Sequence, residues 1–167
     1  MASIPGQSWV VTHQVMAQRT LGELNAHLEA LSTEECLQYL RRGGIGRVAF
    51  VAGAMAVVLP VDFGVVGEQE IVFLTSSGSK LRAIESGCLM TFEVDHFGND
   101  GVGWSVLATG PARATTDPSM IELVRALGVV PHAPGQNSHA VSIEVRFVTG
   151  RRFGVADGSR ALHRREP

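Results

Sequence analysis

The chain has 167 residues, of which 45% are apolar and 18% charged, with a formal net charge of −2. That length and texture fit one folded domain with one continuous core, and the apolar surplus over an average composition points to surface reserved for self-association. A slightly acidic chain offers no basic field to nucleic acid or anionic lipid, so neither is an expected partner.

Residues 1–31 read as an N-terminal extension in which Leu21, Leu24, Leu28 and Leu31 recur at helical spacing, so a helix is expected there. The start lacks a basic segment leading into an apolar run, and no stretch approaches the ~18 apolar residues of a membrane span, which predicts a cytoplasmic protein. Ser32-Thr33-Glu34-Glu35 forms a capping box ahead of the apolar stripe Cys36, Leu37 and Leu40, and Gly43-Gly44 stops that helix. Segments 46–51, 55–66 and 70–75 are then β-rich runs separated by Gly-containing turns, the pattern of an antiparallel meander.

The run from Ile71 to Leu81 carries the strongest chemical signal, because a strand breaks into Thr75, Ser76, Ser77, Gly78, Ser79 and Lys80 before a short helix over 79–86. Free backbone N–H groups, hydroxyls and a lysine at one turn suit a phosphate. The plainer alternative has Ser76 or Ser77 capping the helix and Lys80 in solvent. Segment 88–97 follows as a strand with Leu89, Thr91, Glu93 and Asp95 on one face and Met90, Phe92 and Val94 on the other. Segment 104–115 is a further strand, and Asp117-Pro118 caps and opens a helix through about Leu127. A loop rich in Pro, His and Gly leads to one long strand over 139–153, residues 154–167 form a polar tail, and Arg146, Arg151, Arg152, Arg160, Arg164 and Arg165, partly on the strand and partly on the tail, read as a solvated surface. Cys36 and Cys88 lack the spacing of a zinc site or disulfide scaffold and are expected as reduced thiols. Six antiparallel strands with short helices between them make a mainly β closed or split barrel.

Several familiar motifs fail on context. Gly44-Ile45-Gly46-Arg47-Val48-Ala49 follows a helix and enters a strand, the reverse of a dinucleotide fingerprint. Gly78-Ser79-Lys80 lacks the first glycine and the closing hydroxyl residue of a P-loop, and Gly103-Trp104-Ser105 lacks the strand-to-helix corner of a nucleophile elbow. Asp95-His96, with His132 and His139 far away, does not single out a metal site. Arg47 opens the first strand of the meander and would meet the same anion as Lys80 if that strand lay beside the one ending at Thr75.

Taken in order, Gly46-Arg47-Val48-Ala49-Phe50, Leu59-Pro60-Val61-Asp62-Phe63, Phe73-Leu74-Thr75 with Gly78-Ser79-Lys80-Leu81, Phe92-Glu93-Val94-Asp95 and Gly103-Trp104-Ser105-Val106 resemble the pyridoxamine 5′-phosphate oxidase-like family. The resemblance implies an FMN-binding split β-barrel of six antiparallel strands over residues 32–153, and a homodimer with flavin in grooves between the subunits. Carried over, Arg47 and Lys80 would bind the phosphate with Thr75, Ser76 and Ser79. Pro60, Val61 and Asp62 would run along the ring edge, and Trp104 and Ser105 would come from the opposite subunit or the groove wall. Related sequences often have Asn where this chain has Asp62, and the substrate-binding residues of true pyridoxamine phosphate oxidases have no match here. The implied activity is redox transfer between FMN and a small planar or conjugated molecule, with no catalytic side chain singled out. The deazaflavin F420 on the same barrel is an alternative, and so is a non-enzymatic flavin or haem protein with His96, His132 or His139 as haem ligand.

Overall fold

The computed structural model describes residues 26–99, 101–131 and 138–155. The capping box forms as the sequence predicts. The Ser32 hydroxyl accepts from the Glu35 N–H at 3.3 Å, while Glu35 accepts from the Ser32 N–H at 2.9 Å, opening helix α1 (Thr33–Leu40). The Ser32 N–H foremost, then the Ser32 hydroxyl, which also donates to the Glu35 carboxylate at 2.9 Å, hold that carboxyl below its usual range. Cys36, Leu37 and Leu40 turn inward, and Gly43, at φ +64°, redirects the chain into the sheet.

Strands β2 (Gly44–Ala52), β3 (Met55–Val66) and β4 (Glu70–Thr75) form the expected antiparallel meander. Helix α2 (Ser79–Glu85) leads to β5 (Leu89–Phe97), which turns back on itself as β6 (Gly103–Thr115). Helix α3 (Pro118–Ala126) opens on Asp117, whose carboxylate accepts from the Ser119 N–H at 2.9 Å. The ring closes through β2–β5 on one side and through β4 to β7 (His139–Glu144) to β6 on the other, a closed six-stranded antiparallel barrel with extra strands. Phe63, Phe73, Phe92, Met90, Ile143 and Val48 fill it, each at most 2% exposed. A second cluster, Val72, Leu74, Val124, Val129 and Ala140, seats α3 against β4 and β7.

Two expectations are corrected. The single long strand over 139–153 is two: β7 ends at Glu144, and β8 (Phe147–Val155) starts after a break at Val145-Arg146. The first part of β6 pairs β8 and its last part pairs β7, so the returning chain must step aside between them. The step is held by Val145 N–H on the Gln69 carbonyl and Arg146 N–H on the Thr109 carbonyl, each at 3.0 Å. No glycine or proline marks it. The mark is on the facing strand: a Cβ at Gly110 would sit 1.7 Å from the Glu144 carbonyl oxygen. Gly110→Ala is therefore expected to destabilise the fold by about 3 kcal/mol, the upper part of the range for overpacking, read as a lower urea midpoint at unchanged slope.

The helix expected over 1–31 is also not realised at its C-terminal end, where β1 (Ala26–Ala30) pairs antiparallel with β8. The strand gains a ladder of backbone bonds there, and Arg152 of β8 fixes it by holding Glu29 at 2.9 Å. Residues 1–25 lie outside the described residues, as do His132 and the tail beyond 155. The folded unit therefore takes in β1 as well as 32–153.

Candidate functional site

β4 delivers Thr75, 3% exposed, to the end of the barrel, and the chain turns through Ser76, Ser77 and Gly78 into α2. Gly78 is the N-cap and provides no side-chain acceptor, so neither Ser76 nor Ser77 caps the helix. Thr75 donates its hydroxyl to the Ser76 carbonyl at 3.2 Å. Lys80 turns back across the β4 end. Pro60, Val61, Asp62, Leu74, Thr75, Lys80 and Pro131 together line a recess of about 30 Å³.

Five of the residues singled out in the sequence thus meet in one place: Pro60, Val61, Asp62, Thr75 and Lys80. Ser76 and Ser79 flank it in the turn. Lys80 is half-buried and has no ion-pair partner among the described residues, and burial pushes its ammonium pKa down. Asp62 is already engaged: its carboxylate accepts from the Val130 N–H, which ties the segment after α3 to the recess wall. That tie, and Pro131 beside it, could not be read locally, since it joins positions 68 residues apart. Residues 60–62 pair only with β2, because β3 meets β4 from Phe63 onward, so one of their backbone edges has no strand partner.

Arg47 does not line this recess. Its Nη1 donates to Glu93 Oε2 and Asp95 Oδ1, both at 2.7 Å, and those bonds raise its pKa, Asp95 contributing most. The expected convergence with Lys80 on one anion is therefore absent within the chain. The reason is the β2–β5 register, which sets Arg47 directly opposite Glu93. Trp104 does not reach the recess either. It stacks on Tyr39 of α1, with ring centroids 4.1 Å apart, and Arg42 lies 4.6 Å over the Tyr39 ring. Ser105 sits on the opposite side of β6, next to Asp95 and Arg151.

The Arg47 cluster stands in the middle of a broad outer sheet face. Along one row of Cα partners run Phe147, Thr109, Thr91, Ala49 and Val58; along the next, Thr149, Leu107, Glu93, Arg47 and Pro60. Phe147 is 72% exposed, Val58 59% and Leu107 47%, with Leu89 and Val51 exposed beside them. Pro60 belongs both to this face and to the recess, so the recess opens at its margin.

His96 lies against Trp104 at 6.2 Å and His139 Nδ1 against the Ser138 hydroxyl at 3.0 Å. Among the described residues no cluster of His, Cys, Asp and Glu could hold a metal ion, and no helix is long and apolar enough to cross a membrane. Cys36 is buried, which with the neighbouring Glu35 charge raises its thiol pKa; Cys88 lies beside the Ser86 hydroxyl.

The sequence profile of the family described as pyridoxamine 5′-phosphate oxidase matches residues 32–152. An uncharacterized protein of Mycobacterium tuberculosis is 29% identical over 133 residues, covering 76% of this chain and 86% of its own length. Among solved structures, an FAD binding protein from Mycobacterium smegmatis is similar at 27% identity and TM-score 0.60, covering 75% of this chain and 98% of its own. A candidate pyridoxamine 5′-phosphate oxidase from Corynebacterium glutamicum is similar at 26% identity and TM-score 0.64, covering 78% and 96%.

Proposed function

The chain belongs to the pyridoxamine 5′-phosphate oxidase family, and on that premise we propose that it is a flavin-dependent oxidoreductase whose homodimer holds a phosphorylated flavin between its subunits. The observation that carries this reading is Lys80: a half-buried ammonium with no ion-pair partner among the described residues, facing a recess walled by Pro60, Val61, Asp62 and Thr75. An anion there offsets the cost of burying the charge, and a phosphate forms charge-assisted bonds with it. The residues present fit a flavin phosphate at Lys80 and Thr75, with the unpaired backbone edge of 60–62 facing the ring's heteroatoms.

A recess of about 30 Å³ cannot enclose a tricyclic ring. The ring would extend past Pro60 onto the apolar outer face, and a second copy of that face would cover it. This makes the site a shared one and gives the exposed Phe147, Leu107 and Val58 a purpose. Arg47, fixed by Glu93 and Asp95, would then stand beside the ring instead of on the phosphate. When bound, the flavin supplies the hydride or electron transfer, while the protein binds it, orients it and limits its contact with water.

The FAD bound by the M. smegmatis relative supports a flavin over F420 or haem. Thermal melts with FMN, FAD, riboflavin, F420 and haem test the reading. FMN and FAD are each expected to stabilise the protein by ~2.7 kcal/mol at about 100 times their dissociation constants, and riboflavin by much less. A response to riboflavin equal to that for FMN would remove the phosphate from the argument, and a response to haem or F420 alone would replace the cofactor.

A further inference from the structure

Of the chain's 14 lysine and arginine residues, Lys80 is the one lysine. Arginine is the better permanent cation for a half-buried phosphate contact, because its planar guanidinium keeps its charge and binds two oxygens at once. Lysine differs in that its amine can give up a proton, and the neutral amine is a nucleophile. A chain that carries arginine at every other strongly basic position thus sets its single acylatable side chain in the wall of the recess.

The surroundings of Lys80 favour the neutral amine over the ammonium. The side chain is half-buried, no carboxylate among the described residues lies within ion-pair distance, and burial lowers its pKa. Asp62 faces the same recess from β3, but its carboxylate accepts from the Val130 N–H. On the elements around it, Arg47 of β2 is held by Glu93 and Asp95, His139 of β7 lies against Ser138, and Arg113 of β6 lines a separate cavity. Arg82 and Glu85 follow Lys80 on α2, and neither bonds it. The recess of about 30 Å³ has room for about two water-sized groups, which admits an acetyl group and excludes a long acyl chain.

Resting on the phosphate reading of Lys80 above, we propose that Lys80 is an acylation site for short-chain acyl phosphates, and that the modification switches flavin-phosphate binding off. The neutral Nζ attacks the acyl carbonyl carbon. A C–N bond forms, the C–O bond to phosphate breaks, phosphate leaves with the electron pair, and one amine proton passes to solvent. The product is an uncharged amide in place of a cation. A flavin phosphate bound at the ammonium occupies the same nitrogen, so flavin and acyl donor exclude each other.

Treating the full chain with acetyl phosphate and locating the added acetyl groups by peptide mass spectrometry tests this, because Lys80 is the one side-chain amine and the α-amino group serves as reference. Acetylation of Lys80 in the folded chain is expected to level off at a lower pH than in the same chain in urea. FMN at about 100 times its dissociation constant should slow it at least ~10-fold, and riboflavin should not. The acetylated protein, with its fold checked by its thermal melt, should lose about 10- to 100-fold in FMN affinity and bind riboflavin as before; Lys80→Gln should match it. Lys80→Arg, which cannot be acetylated, should keep its preference for FMN through the same treatment. Acetylation confined to the α-amino group, or a Lys80 pH profile identical in the folded chain and in urea, overturns the inference and leaves the phosphate reading intact. Lys80 acetylated as expected in a protein that still prefers FMN, or protected by riboflavin as well as by FMN, overturns the phosphate reading and the switch with it.

Discussion

Replacing Lys80 with methionine is expected to raise the thermal stability of the ligand-free protein at neutral pH and, in the same variant, to erase its preference for FMN over riboflavin. Methionine keeps the apolar stem that packs across the β4 end and removes the ammonium whose burial is unfavourable. The sign with pH follows from the direction of the shift. Burial lowers the folded-state pKa, so between that value and the ordinary lysine range the unfolded chain binds more protons, and wild-type stability rises with pH there. The advantage of methionine is thus fully present below the depressed pKa and shrinks as the pH climbs through it. Phosphate binding has the opposite dependence: it needs the ammonium, so FMN affinity of the wild type falls over the same window. Losing a charge-assisted contact costs roughly 1.5–3 kcal/mol, or about 10- to 100-fold in FMN affinity, while riboflavin binding stays level. Melts of both proteins from about pH 7 to about pH 10, with FMN and riboflavin titrations, read all of this. A Lys80→Met protein that melts with the wild type and still prefers FMN would place the phosphate elsewhere.

How much of this site the sequence discloses depends on how local each feature is. The turn from Thr75 to Lys80, the capping box at Ser32 and the opening of α3 at Asp117-Pro118 are each set by residues within five positions of one another, and all three are legible. The pairing of Arg47 with Glu93 and Asp95 is half legible. Alternation alone puts both acids on one face of β5, yet which strand lies beside them is decided 46 residues away, by the β2–β5 register. The break at Val145-Arg146 carries no turn residue, because its cause is the split pairing of β6; its only trace is Gly110 on the facing strand. β1 is opaque for a similar reason. Leu28 and Leu31 sit at helical spacing, but Ala26–Ala30 takes its conformation from β8, more than a hundred residues later, and tertiary pairing outweighs a weak local preference.

Phe147→Asp should convert the proposed dimer to a monomer and release the flavin, although Phe147 is remote from the recess. Phe147 stands at the β8 margin of the outer face and Pro60 at the β3 margin, four strands away, a separation of roughly 19 Å at about 4.8 Å per strand. At 72% exposure the ring contributes little to the fold of one subunit, so an aspartate there leaves the monomer intact. Covered by a second copy, the same aspartate is a buried charge without a partner, costing about 3 kcal/mol. An isologous contact presents it twice, so the dissociation constant of the dimer should rise by roughly four decades. Sedimentation analysis of the variant, paired with FMN and FAD titration, separates the links of this argument. Loss of the dimer together with loss of flavin means that the partner's face completes the site, since Phe147 and the recess lie at opposite margins of the outer face. A monomer that holds flavin at wild-type affinity would instead make the recess and its margin sufficient alone. A variant that stays dimeric would move the subunit contact away from this face.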